Sequence, residues 1–348
     1  GDLALGANTT AANNTAVGTN ALSGATTGDR NVAVGSECLD ALTTGAANVA
    51  LGYQALGANT TANSNTAVGA FSLDANTTGA DNVAVGSNAL GANTTAANNT
   101  AVGVSALLLN TTGANNTAVG TNALSATVTG GFNVAVGGSA LAANLAADNT
   151  AVGYVALQAN TSGTNNIAVG NNALDSNTTA SNNTAVGQGA LASNTTGPDN
   201  TAVGRRALVT NTTGAQNTAV GVRSMEDTTT GADNTAIGWG SLTENTTGAN
   251  NTALGRSALA ANTTATQNTA VGAFAGDALT TGSENVAIGM LALTAEDTGR
   301  KNVAIGTQSL LAQNADTDNY NTAVGYFAGR AVTTGTNNTF VGGLAGDG

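Results

Sequence analysis

The stretch 99–115, NTAVGVSALLLNTTGAN, is one copy of a unit that recurs along the whole chain. Its first phrase ends on Gly103, and equivalent motif glycines run from Gly1 to Gly342. Of the 20 intervals between them, 18 are 17 residues long, one is 16 and one is 19. A fixed short period over a whole chain predicts a solenoid, in which each repeat contacts only its neighbours. We therefore expect residues 1–348 to form a single continuous solenoid.

The first phrase of the unit has the pattern of a short β-strand. Thr100 and Val102 lie on one face of such a strand, and Ala101 lies on the other. The two outer positions of the phrase carry mainly β-branched residues in all copies, which suits a strand. We expect the Thr/Val face to point inward and Gly103 to turn the chain.

The rest of the unit predicts a second strand and a closing turn. The residue three positions after each motif glycine is Ala, Ser or Cys, and the next is usually Leu, as in Ala106-Leu107. Leu is expected to fill a narrow interior, and Cys38 occupies one of the small positions. The phrase Asn-Thr-Thr-Gly at 110–113 suits a turn. The sequence thus predicts an all-β, parallel β-solenoid (a β-roll) of about 21 stacked coils, on the order of 100 Å long.

An asparagine precedes each motif glycine by four residues in every copy that includes the position. We expect this column to form a structural ladder, because stacked amide side chains bond to the coils above and below. The alternative is glycan attachment, since segments such as Asn110-Thr111-Thr112 fit the acceptor pattern. The ladder comprises Asn14, Asn31, Asn48, Asn65, Asn82, Asn99, Asn116, Asn133, Asn149, Asn166, Asn183, Asn200, Asn217, Asn234, Asn251, Asn268, Asn285, Asn302, Asn321 and Asn338.

A second column predicts self-association. The residue two positions before each motif glycine is Ala in 19 of 20 copies, with Phe340 the exception. If the Thr/Val face points inward, this column forms an exposed apolar stripe, and such stripes mark interfaces. We therefore expect an oligomer. In the alternative, Ala packs under a loop of its own coil.

These phrases resemble the head repeats of trimeric autotransporter adhesins, the YadA-like heads. The closest copies are 82–86, NVAVG, and 302–306, NVAIG. The chain is also similar to repeat regions of phage and bacterial tail-fibre-like proteins. The resemblance implies a homotrimeric, left-handed parallel β-roll that is exposed on a cell or virion surface and used for attachment. The period of 17 is longer than that of the usual adhesin head, and no stalk, neck or anchor pattern accompanies it.

The two positions after each motif glycine vary most and suggest where binding occurs. Seven of the ten aromatic residues fall there, together with four arginines. Exposed aromatics and Arg suit contact with a surface glycan or a protein receptor. The alternatives are a tolerant turn or a seam between subunits. This candidate receptor-binding ridge consists of Tyr53, Phe71, Tyr154, Arg205, Arg206, Arg223, Trp239, Arg256, Phe274, Tyr326 and Phe327, and it is richest between Gly204 and Arg256.

Composition argues against several classes of function. With 8 basic and 20 acidic residues, the chain lacks the basic patches that nucleic-acid binding needs. No apolar run approaches the length that inserts into a membrane. Without His, triad catalysis and His-based metal sites are excluded, and no carboxylate pair stands out as a catalytic centre. We expect no enzyme activity, no metal and no cofactor.

The sequence therefore favours a structural and adhesive extracellular fibre, a segment of an adhesin or tail fibre that attaches to a surface or host receptor. The first alternative is a self-assembling extracellular filament without a receptor. The second is ice binding, suggested by Thr pairs such as Thr111-Thr112. Because both ends of the chain lie inside a repeat, we expect a window of a longer fibre.

Overall fold

The computed structural model describes residues 1–347, in which every regular element is a three-residue β-strand and none is a helix. The chain makes about 19 turns and divides into two compact units, Gly1–Asn171 and a second that begins at Asn172. The first unit contains β1 Thr15–Val17, β2 Val32–Val34, β3 Val49–Leu51, β4 Thr66–Val68, β5 Val83–Val85, β6 Thr100–Val102, β7 Thr117–Val119, β8 Val134–Val136, β9 Thr150–Val152 and β10 Ile167–Val169. The second contains β11 Thr184–Val186, β12 Thr201–Val203, β13 Thr218–Val220, β14 Thr235–Ile237, β15 Thr252–Leu254, β16 Thr269–Val271, β17 Val286–Ile288, β18 Val303–Ile305, β19 Thr322–Val324 and β20 Thr339–Val341.

Successive strands within each unit pair in parallel and in register. Thr201 lies beside Thr218, and Val203 lies beside Val220, so identical positions of neighbouring coils form columns. The same register holds at the shortened and lengthened repeats, where β8 pairs with β9 and β18 pairs with β19. The one missing residue and the two extra residues are therefore accommodated in the loops between strands. The predicted parallel β-solenoid with a spacing of about 17 residues is confirmed.

The predicted orientation of the strand was wrong. The central Ala of the strand, such as Ala202 or Ala219, is fully buried, whereas the flanking Thr and Val side chains point outward. Val203 and Leu254 keep 37% and 44% of their surface exposed. The physical reason is width: the opposite wall already carries a buried Leu in most coils, so only a methyl group fits between the walls. The wider β-branched residues are accommodated outside.

The one bulky residue in the alanine column shows how tight this interior is. Phe340 replaces Ala, and the coils around it carry Gly329 and Gly346 where other coils carry Leu. A Cβ at Gly329 would lie 2.9 Å from Cδ2 of Phe340. The aromatic ring thus occupies the space that two leucine side chains fill elsewhere, and total volume is preserved.

The predicted second strand was also wrong. In the coil that starts at Gly204, residues Arg206, Leu208 and Gln216 have φ values of 58°, 51° and 59°, which is the left-handed region. Alternate residues bond in opposite directions: the Arg206 N–H donates to Gln188 O in the coil before, and the Leu208 N–H donates to Ser224 O in the coil after. The leucine wall is therefore an irregular, hydrogen-bonded turn. Its Leu side chains are buried, as expected.

The asparagine column lies inside the coils. From Asn31 to Asn321 these side chains are buried, and only the end members Asn14 and Asn338 are partly exposed. In a representative coil, Asn217 Oδ1 accepts from the Asn234 N–H at 3.0 Å, and Asn217 Nδ2 donates to Gly231 O at 2.8 Å. In most coils the side chain thus joins its own coil to the next and satisfies two buried backbone groups. Asn302 differs, because its buried amide atoms have no hydrogen-bond partner in the described part of the chain.

A second buried asparagine column was not anticipated. The Asn of the Asn-Thr-Thr-Gly phrase is fully buried, and Asn110 Nδ2 donates to Asn93 Oδ1 and to Gly113 O, both near 3 Å. The sequence pattern placed this residue in a turn and did not indicate that its side chain is buried. Because Asn110 is buried and its amide is bonded, this acceptor segment is not accessible for glycan attachment.

Candidate binding surface

The variable ridge follows from the geometry after each motif glycine. Gly221 has φ of 139°, and a Cβ there would collide with the carbonyl of Gly238 in the next coil, so this column is glycine throughout. The next two residues lie on the outside of the turn. The backbone links them between coils, since the Ser257 N–H donates to Trp239 O and the Phe274 N–H donates to Arg256 O, each at 2.9 Å.

Most of the predicted ridge residues are exposed. Tyr53, Tyr154, Trp239 and Tyr326 are 44%, 62%, 52% and 55% exposed. The four arginines of the ridge are also exposed, whereas its three phenylalanines are half-buried. The structure brings the ridge residues together in small groups.

Two of these groups are aromatic pairs. In the first unit, Tyr53 and Phe71 meet edge to face with ring centroids 5.3 Å apart, while Tyr154 belongs to neither pair. In the second unit, Tyr326 and Phe327 stack at 3.8 Å, and the Arg330 guanidinium lies 4.5 Å from the Phe327 ring. Such contacts favour a defined orientation of the rings.

The third group centres on Arg256. Its guanidinium lies over the rings of both Trp239 and Phe274, at 5.8 and 5.0 Å from their centroids. Cation–π contacts of this kind are worth about 0.5–1 kcal/mol at exposed sites. The Trp239 side chain is therefore supported from one side while half of its surface remains open to solvent.

The fourth group contains a residue that the sequence analysis missed. The carboxylate of Glu226 is buried and binds two ridge arginines: Arg206 Nη2 at 2.7 Å, and the Nε–H of Arg223. The hydrogen bond to Glu226 raises the pKa of Arg223 above its usual range. Arg206 and Arg223 are 17 residues apart with a Glu three residues after the second, a spacing from which this cluster could have been found.

A cavity of about 190 Å³ opens beside Trp239. It lies where Gly240 leaves a gap in the second ridge column, between Arg223 of the coil before and Ser257 of the coil after. Thr243, Glu244 and Ala260 complete the lining. Thr243 Oγ1 donates to Gly240 O at 2.5 Å, which holds this turn. Gly240 and its lining were not identified from the sequence, because a single glycine among many carries no signal.

The threonine pairs of the Asn-Thr-Thr-Gly phrase do not form one face. The first hydroxyl bonds to the next coil, as Thr212 Oγ1 does to Thr229 O at 3.1 Å, whereas the second Thr, such as Thr213, is exposed. The outward first residue of each strand, which is Thr in 13 of the 20 strands, forms a separate column on the sheet. Only isolated hydroxyl columns are therefore available to solvent.

Three further observations bear on chemistry. Cys38 is buried, its thiol donates to Gly35 O at 3.1 Å, and burial raises its pKa to about 11, so the reactive thiolate is disfavoured. Across residues 1–347, no three His, Cys, Asp or Glu side chains are grouped to hold a metal ion. The same residues contain no helix with the length and hydrophobicity needed to cross a membrane.

Comparison with known protein families, with curated proteins and with solved structures found no match to this chain.

Proposed function

We propose that this chain is a segment of an extracellular fibre that associates with copies of itself through the outer face of its sheet and attaches to a surface glycan or protein receptor through its ridge. More specifically, we propose that the chain forms a left-handed β-roll of about 21 coils and belongs to a homotrimeric adhesin or tail fibre. The observation that carries the proposal is the outward Thr/Val face of the strands.

This outer face is apolar and uncharged. No residue of β1 to β20 carries a charge, and the third residue of each strand is Val, Ile or Leu. Many of these residues are more than a third exposed, such as Val203, Ile237 and Leu254. The ten third-position side chains of each unit form an apolar strip on the order of 500 Å², comparable with the largest apolar patch of a typical monomer, which is often functional.

A second copy of the same chain is the partner that best fits this face. An evenly spaced column of Val beside a column of Thr or Val offers no side chain that would select a different protein. It is complementary to itself, because a 17-residue period on one copy meets the same period on another. Three copies around one axis would remove all three faces from water, in keeping with the resemblance to trimeric adhesin heads.

Attachment is assigned to the ridge. Its aromatic and arginine groups differ from coil to coil, unlike the strands and ladders, and all except the three half-buried phenylalanines are exposed. Aromatic rings and Arg dominate binding energy at many interfaces. A purely structural filament is the second candidate, favoured by the near identity of the repeats. Ice binding is a third, favoured by the outward Thr column of the strands.

The first experiment measures the native mass of the chain by light scattering. We expect a mass near three chains. The variant V203K/I237K/L254K places charges on the outer face and should give single chains, while T213K/T230K/T247K places the same charges on an exposed loop column and should stay trimeric. A wild-type mass of one chain would overturn the association, and open-ended polymers would favour the filament. A monomer with thermal hysteresis would favour ice binding.

The second experiment tests attachment. Beads coated with the chain are applied to arrays of glycans and of surface proteins, and retention is counted. We expect retention on a subset of the array that falls when Trp239 and Arg223 are both replaced by Ser, with an unchanged circular dichroism spectrum. Retention on no surface, or equal retention by the variant, would contradict attachment through this part of the ridge.

A further inference from the structure

We propose that the cavity beside Trp239 binds one neutral pyranose ring of a surface glycan. This inference rests on the proposed attachment function and names the ligand class of one place on the ridge. The site is built from three consecutive coils: Arg223 from the first, Trp239, Gly240, Thr243 and Glu244 from the second, and Ser257 and Ala260 from the third.

The cavity exists because one side chain is missing from a stacked column. Coils repeat at about 4.8 Å, so an absent side chain leaves its two neighbours roughly 10 Å apart. Gly240 adopts φ of 60°, the conformation that side-chain-bearing residues adopt in the same column, such as Asn122 and Arg223 at 57° and 60°. A Cβ at Gly240 would meet only Thr243 Oγ1 at 3.3 Å and Ser257 Oγ at 3.8 Å. The gap is thus caused by the missing side chain at Gly240 and not by a change in backbone conformation.

The size of the cavity limits its ligand to about one ring. Its volume of about 190 Å³ is below the roughly 300–1,000 Å³ of pockets that hold drug-sized molecules. Trp239 forms one wall, is half-exposed and is supported by the Arg256 guanidinium. A supported, exposed indole offers a flat apolar surface beside water, which suits a ligand with one apolar face and polar edges.

The polar lining favours a ligand that both donates and accepts hydrogen bonds. Glu244 supplies only acceptors when ionised, and Arg223 supplies only donors. The Nε–H of Arg223 already binds Glu226, which fixes the direction of the guanidinium. Hydroxyl groups satisfy both kinds of partner, and a pyranose also carries a C–H face for the indole.

The charges of the lining disfavour ionic ligands. An anion at the cavity would face Glu244, and a cation would face Arg223, so either would meet a like charge. A purely apolar ligand would leave both charged groups without partners for their remaining hydrogen-bonding sites. A neutral polyhydroxylated ring avoids repulsion by either charged group and can form hydrogen bonds with both.

The chain contains its own comparison for this site. Gly189 is a second glycine at the equivalent position, with φ of 67°. Its coil carries Gln188 where the other carries Trp239, so the gap there has no aromatic wall. A substitution at Gly189 therefore reproduces the backbone change without touching the proposed site.

Trp239 is the only tryptophan of the chain, so its fluorescence reports on this cavity alone. The full chain is titrated with methyl α-D-mannopyranoside, methyl β-D-galactopyranoside and N-acetyl-D-glucosamine, and separately with tetramethylammonium chloride and methyl phosphate. We expect a saturable change in emission with at least one pyranose at millimolar concentration, and none with the two ions. Saturation by an ion alone, or no change with any pyranose up to 100 mM, would overturn the proposal.

The matched variants are Gly240→Asn and Gly189→Asn. Asn occupies this position with positive φ in other coils, including Asn20 and Asn172, so both variants should fold. We expect G240N to weaken pyranose binding at least tenfold and G189N to leave it unchanged. Equal binding by G240N would place the ligand elsewhere. Bead retention separates the two proposals: retention by a chain that binds no pyranose would refute this inference and leave attachment standing.

Discussion

The inner and outer faces of the same three-residue strand obey opposite rules. Inside, the central position is Ala in 19 of 20 coils, and the one Phe comes with glycines that make room for it. Outside, the first position is Thr, Val or Ile and the third is Val, Ile or Leu. The difference shows that width governs the inner face, because two walls and two amide ladders already fill it. Within the single chain, the outer face is constrained only by strand propensity.

The largest loss of stability is expected when a buried asparagine of the ladder is replaced. Asn217→Ala removes the acceptor of the Asn234 N–H and the donor to Gly231 O. Leaving two buried backbone groups unpaired should cost about 2–5 kcal/mol of unfolding free energy. Hydrogen exchange of the coils that start at Gly204 and Gly221 would detect it as faster exchange. The outer-face control T218A should change exchange little, and equal effects of the two variants would contradict the comparison.

A smaller change in unfolding free energy is expected when Leu is introduced on the inner face, and a smaller one still when it is introduced on the outer face. Ala219→Leu overfills the interior and should lower the unfolding free energy by about 2 kcal/mol. Val220→Leu on the outer face should change it by less than about 0.5 kcal/mol, since Leu51 and Leu254 already occupy this position. Urea midpoints followed by circular dichroism would measure both. A V220L variant as unstable as A219L would show that both faces are packed within one chain.

The third prediction concerns a charge on the inner face. Glu296 is fully buried at a position where other coils carry Asn, and burial raises its pKa above the usual range, although hydrogen bonds from the Gly299 N–H and Asn319 Nδ2 oppose this. The folded state thus binds this proton more tightly than the unfolded state does, and stability is lost as pH rises through the folded-state pKa. Glu296→Gln should therefore raise the urea midpoint at pH 7.

The pH series provides the decisive part of that test. The advantage of E296Q over the natural chain should shrink as the pH falls from 7 towards 4, because the natural Glu296 then becomes protonated. The exposed Glu284 supplies the control E284Q, which should leave the urea midpoint nearly unchanged at each pH. A difference between E296Q and the natural chain that does not vary with pH would contradict the assignment.

The period and the residue types were enough to predict the stacking. A 17-residue repeat with a β-branched phrase leaves few folds other than a parallel solenoid, and Leu107 was correctly expected inside. The orientation of the strand was wrong because alternation shows that Thr100 and Val102 differ in face from Ala101 but not which face is inner. Hydrophobicity alone would place the Val face in the interior. The space between the two walls is too narrow for Val, so the Ala face lies inside instead.

Other features depended on information that one repeat does not contain. The left-handed φ of Leu107 is unusual for a residue with a side chain, so its phrase suggested a strand. The inner position of Asn110 depends on the path of that turn. Glu226 joins residues of two coils, and the Gly240 cavity requires three. The ridge residues themselves were visible as the most variable positions, while their grouping was not.

The uniform stacking of coils has a mechanical consequence. Within a unit each coil is joined to the next by nearly the same set of backbone and asparagine hydrogen bonds, so few layers differ greatly in strength. A chain pulled from its ends would release coils one at a time. Each released coil of 17 residues would lengthen the chain by about 50 Å, the difference between its extended length and its thickness in the stack. The chain would then extend under tension in many small unfolding steps, while the remaining coils stay folded.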